Sequence, residues 1–268
     1  MLGKLMKYEF RATGRIFLPV YAALIVFSVV SRLLRHSNFD IFGVFDIFGI
    51  LSTVVSVIIM IGIFVVMLVL TIQRFRQNLM SNEGYLMMTL PLRTDSLILS
   101  KLIVTAVWAV ACFIVVVLAI FILVATRQAL EFVVDFIWHF AEAFVSDPFR
   151  VALVTFEIIA IITLTILSQA LLLYACLSLG MLVNRNRLLL SFGAYIAITT
   201  ALQVAAGVIL STFSALGIGE YINRFFDDYD AFGISQFFVV IIIIVQIVIC
   251  AIYYAITRYM LKNRLNLQ

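Results

Sequence analysis

Apolar residues in this chain do not alternate with polar ones, and they do not come in short bursts. They run together for about 20 residues at a time, the length a helix rising ~1.5 Å per residue needs to cross ~30 Å of hydrocarbon. Six stretches qualify: 16–34, 50–72, 102–124, 151–182, 188–210 and 237–259. Lipid offers no hydrogen-bond partner to the backbone, so spans are helices or closed barrels, and the missing period-two pattern excludes barrel strands. The predicted fold is an all-α polytopic membrane domain covering 1–268, with six transmembrane helices.

Composition sharpens this reading. The chain is 65% hydrophobic and 12% charged, whereas a soluble domain is roughly 45–50% apolar and 25% charged. A soluble enzyme, a secreted disulfide scaffold and a disordered tail are thereby excluded. Cys112, Cys176 and Cys250 each fall in a different apolar run, where a thiol acts as a small hydrophobe, so no structural disulfide is expected. A cleavable leader is not expected either, because the basic N-terminal stretch leads into a full-length span with no small-residue cleavage pattern.

Charge sets the expected orientation. An even number of spans places both termini on one side, and with the termini inside, 13 of the 18 Lys and Arg residues are cytoplasmic. The carboxylates segregate the other way: Glu9, Glu83 and Asp95 inside against ten outside. Both termini are therefore expected on the cytoplasmic side of the membrane.

Four segments outside the spans carry patterns of their own. Residues 1–15 place Lys4, Lys7, Arg11 and Arg15 three or four apart, with Leu2, Leu5, Met6 and Phe10 on another face. That predicts an interfacial helix resting on anionic headgroups. The connection 74–101 is too short of apolar residues to span and too rich in them for a solvated linker. A short apolar helix is expected there, stopped at Leu90-Pro91, with Thr94 or Asp95 capping the next span. Residues 126–150 carry Glu131, Asp135, His139 and Glu142 at helical spacing amid aromatic and aliphatic residues, which predicts a second interfacial helix on the outer face. A solvated polar stripe is favoured over a metal site there, because His139-x-x-Glu142 lacks a second histidine nearby. The segment 211–235, with Gly217, Gly219, Gly233 and the cluster Asp227, Asp228 and Asp230, suits outer broken helices or re-entrant turns rather than a calcium loop.

Candidate chemistry is sparse. There is no HExxH, no Ser or Cys with a placed histidine base and no GxxxxGK[ST], so neither intramembrane catalysis nor nucleotide hydrolysis is expected, and the chain is not read as an enzyme. Polar residues in the spans are mainly amides and hydroxyls; Gln169, Gln203 and Gln246 are the largest and, with Glu157, are the candidate pathway residues. Counting ~20 residues back from Leu182 places Glu157, the lone carboxylate of the spans, at or above the outer interface. It reads as a snorkelling acid or as a polar contact at an outer mouth. An ion-driven carrier would carry several buried carboxylates, so energy for transport is expected from elsewhere. Gly193, Ala197, Ala201 and Ala205, spaced by four, form a ridge for close helix approach, within the subunit or across a dimer axis.

The order of these parts, and the stretch EGYLMMTLPLRTDSLILSKL at 83–102, resemble the permease subunit of ABC-2 type (type V) exporters, notably those of Firmicutes. By that resemblance 1–15 is the elbow helix, and 74–101 holds a coupling helix that docks on a separate ATPase. Asn82, Glu83, Gly84, Tyr85 and Leu86 would form the docking surface, with Arg74, Arg76 and Arg93 as charge partners. The implied assembly is two permease subunits, identical or paralogous, in a lipid bilayer with two ATPase subunits; ATP and magnesium belong to the ATPase, and no nucleic acid is involved. Cavity walls without fixed charge point to an amphipathic or apolar cargo such as a peptide antibiotic, drug or lipid. The alternative is a permease-like accessory or immunity protein that binds a peptide without pumping it.

Overall fold

The computed structural model describes residues 2–36, 44–80, 94–124, 126–182, 187–217 and 231–263. Over these residues the chain is entirely helical: α1 (Leu2–His36), α2 (Val44–Met80), α3 (Thr94–Val124), α4 (Arg127–Ser146), α5 (Pro148–Gly180), α6 (Arg187–Ala215) and α7 (Ala231–Asn263). All but α4 are long and apolar enough to cross a bilayer. These are the helices of a multi-pass membrane protein. Each starts before the apolar stretch that announced it, and α5 ends at Gly180, two residues before the predicted 182.

The helix boundaries follow local chemistry. Thr126 caps α4 by accepting the Ala129 N–H on its hydroxyl oxygen. Asp147 closes the helix with its N–H on the Ala143 carbonyl, and Pro148 opens α5, a position where its missing N–H costs nothing. The expected outer helix 126–150 therefore ends at Ser146, and the fourth span begins three residues before the predicted 151. At the end of α6, Gly217 takes a φ of 63°, which lets its N–H reach the Ser214 carbonyl at 3.1 Å.

One expected break is not there. Residues 1–15, read as a separate elbow, form over their described part the first turns of α1, which continues through Pro19 to His36. Pro19 removes one donor from the ladder without ending the helix. The expected coupling helix falls in 81–93 and most of the expected outer re-entrant region in 218–230, both outside the described residues.

By internal contacts the chain divides into two compact units, Met1–Phe75 with Asp95–Phe156, and Arg76–Thr94 with Glu157–Gln268. The first holds α1, α3, α4 and nearly all of the α2 span. Its core is Phe17, Tyr21 and Leu24 of α1, Ile63 and Leu70 of α2, and Cys112 and Ala119 of α3. In the second unit α5 is buried almost continuously from Ala170 to Gly180, and α7 buries Tyr253, Thr257 and Leu261, one turn apart. Among the described side chains of α6, Ser191 alone is buried.

Candidate functional site

Two sets of polar side chains are enclosed among the apolar helices, one in each unit. In the first, the Lys101 ammonium of α3 donates to the Glu9 carboxylate of α1 at 2.6 Å, with side chains only 5% and 13% exposed. One turn further along α1, the Trp108 indole N–H donates to Thr13 Oγ1 at 2.8 Å, while the Thr13 hydroxyl donates back to the Glu9 carbonyl at 2.7 Å. Phe17 stacks on the Trp108 ring with centroids 5.0 Å apart, and the Tyr21 hydroxyl donates to the Trp108 carbonyl at 3.1 Å. At the other end of α1, Arg32 donates to the Ile122 carbonyl in the last turn of α3 at 3.2 Å, where helix carbonyls lack intrahelical partners. Polar contacts thus fasten α1 to α3 along most of its length.

In the second unit, Gln236 of α7 donates its amide to the Glu157 carboxylate of α5 at 3.1 Å, and Gln246 donates to Ser168 Oγ at 2.8 Å. The Ser168 hydroxyl passes its own proton to the Thr165 carbonyl. The Cys250 thiol lies 3.7 Å from the Leu164 carbonyl, a weak donor contact. Glu157 is enclosed, 9% exposed. A snorkelling acid would keep its carboxylate in water; this one is satisfied by an amide from the neighbouring helix.

The structure therefore treats the four pathway candidates differently. Glu157 and Gln246 meet partners on the facing helix, whereas Gln169 of α5 and Gln203 of α6 are exposed. Of the coupling candidates, Arg74 is half-buried and Arg76 exposed near the end of α2. Asn82, Glu83, Gly84, Tyr85, Leu86 and Arg93 lie outside the described residues. The small-residue ridge Gly193, Ala197, Ala201 and Ala205 is exposed, and a Cβ on Gly193 would touch nothing within 4 Å.

Sequence reading missed the Glu9–Lys101 pair and the Trp108–Thr13 contact. A signal for the first exists: Lys101 lies two turns inside α3, where a cation needs a partner, and Glu9 is the lone acid of the basic N-terminal stretch. Gln236 was missed because it stands one residue before the predicted last span, 237–259, where an amide reads as a surface residue.

Chemically, these groups donate and accept hydrogen bonds. Among the described residues no group of three or more His, Cys, Asp or Glu side chains is gathered for a metal ion. Comparison with protein-family models, with curated proteins and with solved structures gives no match.

Proposed function

We propose that this chain is the membrane-spanning subunit of an ATP-driven exporter, acting with a second permease subunit and with ATPase subunits on separate chains. Its cargo is amphipathic or hydrophobic. The observation that carries the reading is the state of the carboxylates within the apolar helices: Glu9 is neutralised by Lys101, and Glu157 is held by an amide. A proton- or ion-driven carrier normally displays several intramembrane carboxylates that bind and release the coupling ion, and among the predicted spans Glu157 alone is a candidate. The six apolar helices therefore form a body whose driving energy enters from outside the chain, and the 81–93 connection between α2 and α3 is where the motor docks.

In this mechanism ATP binding closes the ATPases, the docked connection moves, and α2 and α3, which flank it, transmit the displacement to the spans. Magnesium and nucleotide stay on the ATPase. The test is co-expression with an ATPase subunit and measurement of co-purification and ATP hydrolysis in nanodiscs. Glu83→Ala with Tyr85→Ala is expected to abolish co-purification and to return hydrolysis to the level of the ATPase alone. Unchanged co-purification would remove the docking role, and export with no hydrolase present would remove the exporter reading.

A further inference from the structure

The α4 helix stands apart from the rest of the first unit, since none of its residues is buried. On a helical projection Phe132, Phe136, Phe140 and Phe144 line one side, with Phe136 and Phe140 stacked at 6.4 Å. Glu131, Asp135, His139 and Glu142 form a narrower stripe, about 80° wide, that borders the phenylalanine side at Phe132. A surface helix of this kind turns its phenylalanines into the acyl boundary and its carboxylates to water. Trp138 departs from that division. It projects opposite the phenylalanines, at the edge of the carboxylate stripe beside Glu131 and one turn from Glu142, and is 73% exposed. Beside it an open groove of about 450 Å³ is lined by Trp138, Ala141, Glu142, Val145 and Ser146.

We infer that this groove binds a cationic amphipathic peptide. The face of an indole attracts cations, and the Glu142 carboxylate supplies the counter-charge one turn away. Ala141 and Val145 offer an aliphatic wall for the stem of a lysine or arginine side chain. Charge complementarity extends past the groove: one arginine against three carboxylates leaves α4 at net −2, in a chain whose net charge is +4. Glu131 and Glu142 are eleven residues apart, roughly 16 Å along the axis. That row matches cations repeated along a peptide; a choline headgroup carries only one. His139 lies 3.7 Å from Glu142 and competes weakly for the same carboxylate. The inference rests on the exporter reading in naming its cargo class, and the binding itself needs no motor.

The test uses the full chain in phosphatidylcholine nanodiscs and a fluorescein-labelled fourteen-residue peptide of lysine and leucine, read by anisotropy against empty discs. The expected result is saturable binding above that background, lost when glutamate replaces lysine in the peptide. Trp138→Ala is expected to weaken binding about fivefold, and Glu142→Gln or Asp135→Asn about threefold each. Since α4 buries nothing, these variants keep their unfolding temperature; should one not, the remaining two decide. No excess over empty discs, equal binding of the glutamate peptide, or unchanged affinity in all three variants overturns the site. Binding that emerges only when ethanolamine replaces choline in the lipid also overturns it, because the headgroup then owns the groove. Peptide binding that never stimulates a docked ATPase keeps the site and discards the exporter. Stimulation with unchanged affinity in the variants does the reverse.

Discussion

The α1–α3 pair and the α6 helix show two ways for an apolar helix to live in this protein. α1 and α3 are joined by a buried ion pair, an indole–hydroxyl bond, a tyrosine–carbonyl bond and an arginine on a helix end. On α6 the hydroxyls of Thr199, Ser211 and Thr212 turn back onto the helix's own carbonyls, and of its described side chains Ser191 alone is buried. All three helices are long and apolar enough to cross a membrane. In lipid, apolar surface gains nothing by leaving the solvent, so polar contacts and close packing decide which helices associate. α1 belongs to a built core, and α6 presents its surface to whatever surrounds the chain.

The contrast breaks most severely at Lys101. Lys101→Met leaves the Glu9 carboxylate in an enclosed position without its cation and is expected to destabilise the protein by about 3 kcal/mol. Adding Glu9→Leu recovers most of that loss, since an apolar pair needs no compensating charge. Thermal unfolding in detergent reads both variants. Equal unfolding temperatures for the single variant and the parent would show that the pair contributes nothing.

Gly14 tests the packing half of the comparison. A Cβ there would stand 3.3 Å from the Trp108 ring, tighter than side chains ordinarily meet. Gly14→Leu therefore pushes the indole away from Thr13 and costs about 2 kcal/mol, the range for overfilling a packed site. In a Trp138→Phe background Trp108 is the sole tryptophan, and its emission is expected to shift to the red as the indole is displaced. A leucine accommodated without loss would mean that α1 and α3 meet loosely at this level.

These two sites also mark the limit of what the sequence disclosed. The six spans were readable because their signal is length: about 20 apolar residues have few other uses. Which side of a span meets a neighbour was not, because a lipid-facing residue and a core residue are equally apolar. Trp108 packs on Phe17 while Phe113, on the same helix, is 59% exposed, and nothing in their types separates them. Gln203 and Gln246 are the same residue in similar surroundings, yet one is exposed and the other bonds Ser168. The partner of Glu157 was hidden for a related reason: Gln236 lies 79 positions away, on a helix whose facing side the sequence does not mark.

A smaller effect is expected between α5 and α7. Gln246→Leu removes the donor to Ser168, whose own proton remains on the Thr165 carbonyl, so no buried donor is orphaned. The loss should be about 0.6 kcal/mol, the usual worth of one interhelical hydrogen bond in a membrane protein. A loss above roughly 2 kcal/mol would mean that this contact carries the α5–α7 pairing in the way Lys101 carries α1–α3.

The smallest effect on stability belongs to α6, and there it separates two accounts of the bare ridge. Ala201→Leu adds bulk to an exposed position two turns along the ridge from Gly193, where a Cβ would meet nothing of this chain. The unfolding temperature of the dispersed monomer should be unchanged, within about 0.5 kcal/mol. If the ridge faces only lipid, leucine is as welcome there as alanine and the molecular mass in mild detergent is the same for both chains. If a second subunit lies along it, the four-residue spacing of small side chains is what allows the backbones to approach, and one leucine holds them apart. Light scattering of the purified variant against the parent distinguishes the cases: a fall in mass with no fall in stability can arise only from a contact made between chains.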